Sequence, residues 1–401
     1  KRSGQENSFP AILANQFKEL GGGEFKQPLM AEGSGIGVIS STEFRAASEL
    51  GYSTDCKGEV GLGPINPNAP QLAALADRLS ANGPFNNVGV PGAKSYHLGL
   101  PGYETLNPYY ARFATTGEPV INAAVKANAS FFSLWIGAND VLGYALGGGE
   151  GTDQTGNPNP ASYSTTVDDI TDPTFFAGAF DQFAAALTAN GAKGVVANIP
   201  DVTSVPHFRA ISKNALVLTA EQAALLNGGF AAYNNGLDTA LKYGITSSAQ
   251  VQMRKLTFKE GANRFVVIDN DLRVIDLSVL APGLPVLPKI RQMRFDELLV
   301  LTTPQNELKC EGLGSANPMT GMPNPIPEKY YLSSAEVNNI KTATAAYNAS
   351  IKATADKYGL AFVDANAIMS EMESGLTYNG MTYSTTFVTG GTFSLDGFHP
   401  S

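Results

Sequence analysis

Residues 130–136 read Ser-Phe-Phe-Ser-Leu-Trp-Ile, an almost unbroken apolar run. A run of this length, rich in aromatic residues, is typical of a strand buried on both faces of a parallel sheet, and it assigns Trp135 to the core. Shorter apolar runs at 194–199 and 360–363 each follow a segment with helical periodicity. The alternation predicts an α/β fold, a three-layer α/β/α sandwich with a mostly parallel sheet.

Capping residues delimit the helices of this pattern. Asp172 followed by Pro173 begins one helix, and Ser333 with Glu336 forms a capping box at the start of another, predicted at 333–357. A third helix is predicted at 8–20, and a further strand or strand end at 85–90. Together these elements indicate helices placed between the strands of one sheet.

The length of the chain alone suggests two or three domains of about 150 residues each, but a single α/β domain with insertions is equally allowed. The chain has 401 residues, 43% of them hydrophobic, and we expect a single domain over 1–401 with insertions at about 141–171 and 205–330. The 36 acidic against 27 basic residues give a net charge of −9, which repels phosphate backbones and argues against a nucleic-acid partner. No stretch approaches the ~20 apolar residues that a membrane span needs.

Cysteine and histidine are scarce. Cys56 and Cys310 are the two cysteines, and with only three histidines they cannot build a zinc site of the usual spacing, so no metal is expected. The two cysteines fit either one disulfide or two free thiols.

Three polar segments follow apolar runs, where the chemistry of parallel α/β sheets is located. Asp396 and His399 stand three apart in a turn, close enough for the carboxylate to orient the imidazole as in a nucleophilic triad. Asn139 follows the run at 130–136, and Gly92 lies at a Pro-Gly corner; an amide NH₂ and a backbone N–H can both stabilise an oxyanion. Taken singly, each also fits a plain turn, and that interpretation is favoured for Gly92 alone and for Asp396 and His399 alone.

In this order the segments resemble the second, third and fifth sequence blocks of the SGNH/GDSL hydrolase family. The segment 197–203, Ala-Asn-Ile-Pro-Asp-Val-Thr, is similar to the one between those blocks in secreted bacterial members. The resemblance implies a flavodoxin-like SGNH hydrolase fold, an acyl-ester substrate, and neither a metal nor an organic cofactor. It makes Asp396 and His399 members of the triad, and Gly92 and Asn139 parts of the oxyanion hole.

The nucleophile is the missing part of this pattern. The family's first block, Gly-Asp/Asn-Ser-Leu, has no counterpart; Ser3 and Ser34 are the tempting serines, and neither follows an apolar strand. We therefore leave the nucleophile unassigned and expect it upstream of Lys1.

The sequence thus predicts a serine ester hydrolase, a GDSL-like lipase or esterase acting on lipid, short-chain acyl or acetylated-sugar esters. The alternative is a catalytically inactive surface binding protein on the same scaffold, to which the missing serine would point. We expect a secreted, periplasmic or bacterial cell-surface location, with peripheral membrane or cell-surface association left open.

Overall fold

The computed structural model describes residues 2–32, 36–38, 44–46, 48–65, 75–317 and 319–400, so that Ser34 lies outside the described residues. The α-helices within these ranges are α1 (Arg2–Glu6), α2 (Phe9–Lys18), α3 (Ser95–Leu98), α4 (Pro108–Ala111), α5 (Val120–Lys126), α6 (Asn139–Leu146), α7 (Pro173–Thr188), α8 (Pro206–Arg209), α9 (Ala220–Gly229), α10 (Ala231–Lys242), α11 (Ser248–Arg254), α12 (Ser334–Tyr358) and α13 (Ala365–Ser374).

The strands are short, and most of them form two-stranded antiparallel pairs. They are β1 (Ile36–Val38), β2 (Phe44–Ala46), β3 (Glu49–Thr54), β4 (Val60–Ile65), β5 (Phe131–Leu134), β6 (Lys193–Ala197), β7 (Leu216–Leu218), β8 (Gly261–Asn263), β9 (Val266–Ile268), β10 (Ile275–Asp276), β11 (Val286–Leu287), β12 (Ile290–Gln292), β13 (Leu298–Leu299), β14 (Ser315–Ala316), β15 (Pro323–Asn324), β16 (Tyr331–Leu332), β17 (Ala361–Val363), β18 (Leu376–Tyr378) and β19 (Met381–Tyr383).

One parallel sheet stands at the centre of the fold. Its order is β17-β6-β5, with Phe131 opposite Lys193 and Ala361 opposite Val195. The three strands are those that the apolar runs predicted, so a mixed α/β architecture with a parallel sheet is confirmed.

Helices α7 and α12 cover one face of this sheet. Side chains alternate along a strand, and Phe132, Leu134 and Val196 point to the face that meets the main apolar core. On that side Phe176 of α7 stacks on Tyr347 of α12, with ring centroids 4.3 Å apart. The capping residues that predicted both helices are confirmed, since Asp172 accepts from the N–H of Phe175 and Ser333 forms its capping box.

The opposite face of the sheet is only partly covered. Phe131, Trp135 and Val363 project there and are 36%, 44% and 40% exposed. Helix α2 lies against it, with Phe17 in edge contact with Phe131 and Phe9 with Trp135. The predictions of a strand buried on both faces and of a core Trp135 are therefore wrong, and the described residues do not form a clear three-layer sandwich.

The strand predicted at 85–90 is also wrong. Residues 86–90 are irregular, because side-chain and backbone partners outside a sheet take the hydrogen-bonding groups. The Asn87 side chain accepts from the N–H of Gly89, and the N–H of Asn86 donates to the carbonyl of Lys26. A local asparagine turn has outcompeted strand pairing here.

The two ranges predicted as insertions differ in character. The first begins inside α6, whose Val141, Tyr144 and Ala145 belong to the main core. The second contributes most of two further apolar clusters, one around Phe230 and Leu237 and one around Val267 and Met293.

A buried ionic cluster joins strands of the second range. Arg291, 1% exposed, donates to both carboxylate oxygens of Glu297 at 2.8 and 2.6 Å, and its Nε donates to Asp269. Burial alone would lower the pKa of the Arg291 guanidinium, but the hydrogen bonds and charge of Glu297 outweigh it and raise that pKa.

Cys56 and Cys310 form a disulfide across a sequence separation of 254 residues. Of the two alternatives that the sequence left open, the cysteines are therefore paired and are not free thiols. The disulfide ties the turn of the β3–β4 hairpin to the second predicted insertion, beside an ion pair between Asp55 and Lys309. Disulfides persist in oxidising compartments, so this one is consistent with an extracytoplasmic location. In the part of the chain that the structure describes, every helix is too short or too polar to cross a membrane.

Candidate functional site

Asn139 and the Gly92 corner lie together. Asn139 begins α6 just beyond the carboxyl end of β5, and its amide Nδ2 donates to the carbonyl of Ala93 at 2.9 Å. Gly92, the neighbour of Ala93, is exposed. One amide hydrogen of Asn139 is thus used for orientation, and the amide carries a second hydrogen as a donor.

The turn from β5 into α6 depends on a glycine. Gly137 has a φ of 120°, and a Cβ on it would lie 2.5 Å from Ile199 and 2.8 Å from Phe176. Only glycine allows the chain to pass this close to the core in that conformation. The backbone just before Asn139 is therefore packed tightly against the core.

A second clamp holds the same two segments together. The carboxylate of Asp140 accepts from the backbone N–H of Ser95 at 2.8 Å and from its hydroxyl at 2.6 Å, and both residues are fully buried. Burial raises the pKa of Asp140, while the Ser95 hydroxyl and N–H counteract that rise. The side chains of two consecutive residues, Asn139 and Asp140, therefore fix the segment that follows Gly92.

We expect Asp140→Ala to destabilise the protein by about 1–3 kcal/mol for each Ser95 donor left without an acceptor. The Gly92 segment would also loosen, so any turnover should fall with it. Denaturant unfolding measures the first effect. Asp238→Ala is the control, because the Asp238 side chain is 53% exposed in its ion pair with Lys255; equal losses from both changes would contradict the clamp.

His97 follows this segment and is half-buried. Its ring stacks on Tyr103 at 4.5 Å between centroids, and its Nδ1 accepts from the N–H of Lys94. Burial and the charge of Lys94 lower the pKa of His97 to about 4, so that the ring is neutral at physiological pH. This histidine acts as a packing residue of the 92–98 segment.

Asp396 and His399 form a hydrogen-bonded pair in a compact turn. Oδ2 of Asp396 lies 2.8 Å from Nδ1 of His399, while Oδ1 accepts from the N–H groups of Phe398 and His399 and from the hydroxyl of Ser394. Because the carboxylate faces Nδ1, Nδ1 carries the proton in the neutral ring and Nε2 is the basic nitrogen. The His399 side chain is 63% exposed.

The same contacts keep Asp396 ionised. Burial on its own would raise the pKa of this carboxyl, but the hydrogen bond from the His399 ring and those from the N–H groups of His399 and Phe398 lower it well below its usual range. A carboxylate that stays charged can stabilise an imidazolium beside it.

His207 attaches this turn to the body of the protein. It lies in α8, beyond the carboxyl end of β6, and is 4% exposed. Its Nδ1 is 3.0 Å from the carbonyl oxygen of Asp396, and its N–H donates to the carbonyl of Gly397 at 3.0 Å. From the sequence this histidine, shortly after a strand end, fits a surface or packing residue, so its contact with the C-terminal turn was missed.

Further polar residues join the ends of the three parallel strands. Asn198 follows β6, and its amide donates to Asp364 at 2.8 Å and accepts from the N–H of Asn366. Its backbone carbonyl accepts from the indole N–H of Trp135 at 3.1 Å. This network, also missed from the sequence, fixes the edge of the sheet at which Asn139 and α8 begin.

The structure thus forms two pairs, Gly92 with Asn139 and Asp396 with His399. Asn139 follows β5 and the tail packs on the segment after β6; as β5 and β6 are parallel neighbours, both pairs leave the same edge of the sheet. A packed path connects them, since the turn Val202–Ser204 contacts both α6 and α8. Ser3 lies in α1, and no strand of the described residues precedes it in the chain.

Among the described residues, no group of three or more His, Cys, Asp or Glu side chains is placed to hold a metal ion. Comparison of the chain with known protein families, with curated proteins and with solved structures finds no match.

Proposed function

We propose that this protein is a serine ester hydrolase of the SGNH/GDSL type that acts through an acyl-enzyme. The hydrogen bond between Asp396 and His399, in a turn held against the carboxyl edge of the parallel sheet, is the observation that carries this proposal. A carboxylate, an exposed imidazole with a basic Nε2 and two oxyanion donors on one sheet edge suit acyl transfer.

Each residue has one role in the proposed reaction. Nε2 of His399 removes the proton of a serine hydroxyl as its oxygen attacks the ester carbonyl, and Asp396 stabilises the imidazolium that forms. The N–H of Gly92 and the amide of Asn139 donate to the oxyanion. His399 then protonates the departing alkoxide, and water, activated by the same ring, releases the acid. The serine itself is unassigned.

The finer features of the family belong to this proposal. They are the flavodoxin-like three-layer sandwich, an ester of a lipid, a short acyl chain or an acetylated sugar as substrate, and a secreted, periplasmic or bacterial cell-surface location. The three-stranded parallel sheet supports the first of these features, and the Cys56–Cys310 disulfide supports the third.

An assay with p-nitrophenyl acetate and butyrate tests the activity, on protein expressed from the whole reading frame that encodes this chain. We expect hydrolysis that a serine-reactive phosphonate abolishes with one label per molecule. Turnover that resists the phosphonate would exclude a serine nucleophile, and absence of turnover with every acyl length would reject the hydrolase.

Asn139→Ala should lower kcat roughly a hundredfold or more, because a single side-chain oxyanion donor contributes about 2.7–4 kcal/mol to the transition state. KM should change little, since the charge on the oxygen develops only in the transition state. Asn190→Ala is the matched control: Asn190 is exposed just after α7. Equal kcat values for the two variants would remove Asn139 from the oxyanion hole.

The second candidate is a non-catalytic binding protein on the same scaffold. It is favoured by one observation: among the described residues no serine hydroxyl lies within hydrogen-bond distance of the His399 ring, and the hydroxyl of Ser394 donates to Asp396 instead. A protein that neither hydrolyses esters nor reacts with the phosphonate would support this function.

A further inference from the structure

We propose that His207 is a positioning residue: it holds the backbone of Asp396 and Gly397 so that the Asp396 carboxylate stays in line with the His399 ring. The effect on hydrolysis rests on the proposed function, whereas the effect on the geometry of the pair does not. Three features of the contact between α8 and the C-terminal turn support this role.

The first is a two-point attachment. A carbonyl oxygen only accepts hydrogen bonds, so the Nδ1 of His207 that lies 3.0 Å from the Asp396 oxygen must carry the proton. The N–H of the same residue donates to the next carbonyl, that of Gly397, also at 3.0 Å. Two donors of one residue therefore bind two consecutive carbonyls and fix both the position and the direction of the turn.

The second is the closeness of the approach. Gly397 has a φ of 79°, and a Cβ on it would lie 3.0 Å from the backbone nitrogen of His207 and 3.2 Å from its Cα. A side chain there would push the turn away from α8. Gly397 thus lets the turn lie close enough to α8 for His207 to reach the carbonyls of Asp396 and Gly397.

The third is the rigidity of the His207 ring. It is buried between Phe208 and Phe398, in edge contact with both, at 5.1 and 5.6 Å between centroids. Phe398 is also the residue whose N–H donates to Asp396. The packed His207 ring therefore fixes the position of the Asp396 carboxylate relative to α8, and this carboxylate orients His399.

Two substitutions separate this role from packing. His207→Phe keeps an aromatic ring but removes the donor to Asp396, whereas His207→Asn keeps an amide donor close to the position of Nδ1. The readout is the exchangeable Nδ1 proton of His399 in ¹H NMR, assigned with His399→Gln, because a strong hydrogen bond to a carboxylate moves that resonance far downfield.

We expect His207→Phe to broaden or lose this resonance and His207→Asn to retain it. In the active protein kcat should fall by up to about a hundredfold in the Phe variant, as small misplacements of catalytic groups do, with KM nearly unchanged and with recovery in the Asn variant. Gly397→Ala, which displaces the turn from the other side, should reproduce the loss of the resonance even if the Phe variant fails to fold.

An intact resonance in a folded His207→Phe protein, or equal behaviour of the Phe and Asn variants, overturns the proposal. The NMR result decides it without any turnover. Absence of esterase activity together with the expected NMR changes would reject the hydrolase and leave the positioning role standing.

Discussion

Replacing His399 by alanine will lower kcat for p-nitrophenyl butyrate by about 10⁴-fold or more, the scale on which loss of a triad histidine acts in serine hydrolases. The fold should tolerate the change, because the side chain is 63% exposed and its ring bonds only Asp396 among the described residues. The melting temperature and kcat, measured on the same preparation, separate a chemical effect from an unfolded protein.

Asp276→Asn is the control for this experiment. Asp276 resembles Asp396, the partner of His399, in that neighbouring hydrogen bonds, here from the hydroxyl and N–H of Ser278, lower its pKa, but it lies on β10 in the second predicted insertion. It should leave kcat unchanged. General-base catalysis ordinarily contributes about a hundredfold or more to kcat. If the kcat of His399→Ala stays within about tenfold of the original, His399 is therefore not the general base.

Arg291→Met will destabilise the protein by about 3–5 kcal/mol, because it leaves the carboxylates of Asp269 and Glu297 buried together without their cation. Guanidinium unfolding followed by tryptophan fluorescence and by circular dichroism measures the loss. Circular dichroism is needed because Trp135 directly follows β5 of the parallel sheet, whereas Arg291 lies in β12, within the second predicted insertion.

Lys352→Met is the matched control for Arg291. Lys352 also pairs with a carboxylate, that of Asp356 one helical turn along α12, but both side chains are more than half exposed. Such surface pairs contribute about 0–1 kcal/mol. If Arg291→Met costs no more than this control, the buried cluster does not stabilise the fold.

Local signals made the helices predictable from sequence. Asp172 and Ser333 cap α7 and α12 through contacts three residues away, so that a short stretch contains both partners. The three parallel strands were equally visible as apolar runs. The sequence pattern could not show how completely helices cover each face of the parallel sheet. Trp135 is as apolar as a core residue, yet its exposure depends on helices far along the chain.

Residues of the candidate site were likewise predictable only where a local feature of the sequence marked them. Asn139 and the Asp396–His399 pair could be named because a strand end or a short spacing marked them. His207 could not, since its partner carbonyl is 189 residues away and a carbonyl has no identity in the sequence. The pairing of Asn139 with Ala93, 46 residues apart, was expected because both segments were placed at strand ends, although residues 86–90 form no strand.

The Cys56–Cys310 disulfide changes what a single proteolytic cut does to the protein. A protease that cuts once within the 254-residue span between Cys56 and Cys310 breaks the main chain but leaves its two pieces linked through sulfur. Such a nicked molecule keeps its mass on a denaturing gel until a reductant is added. Damage to the long surface loops would therefore stay hidden, and the core elements on both sides of the cut would remain neighbours at high effective concentration.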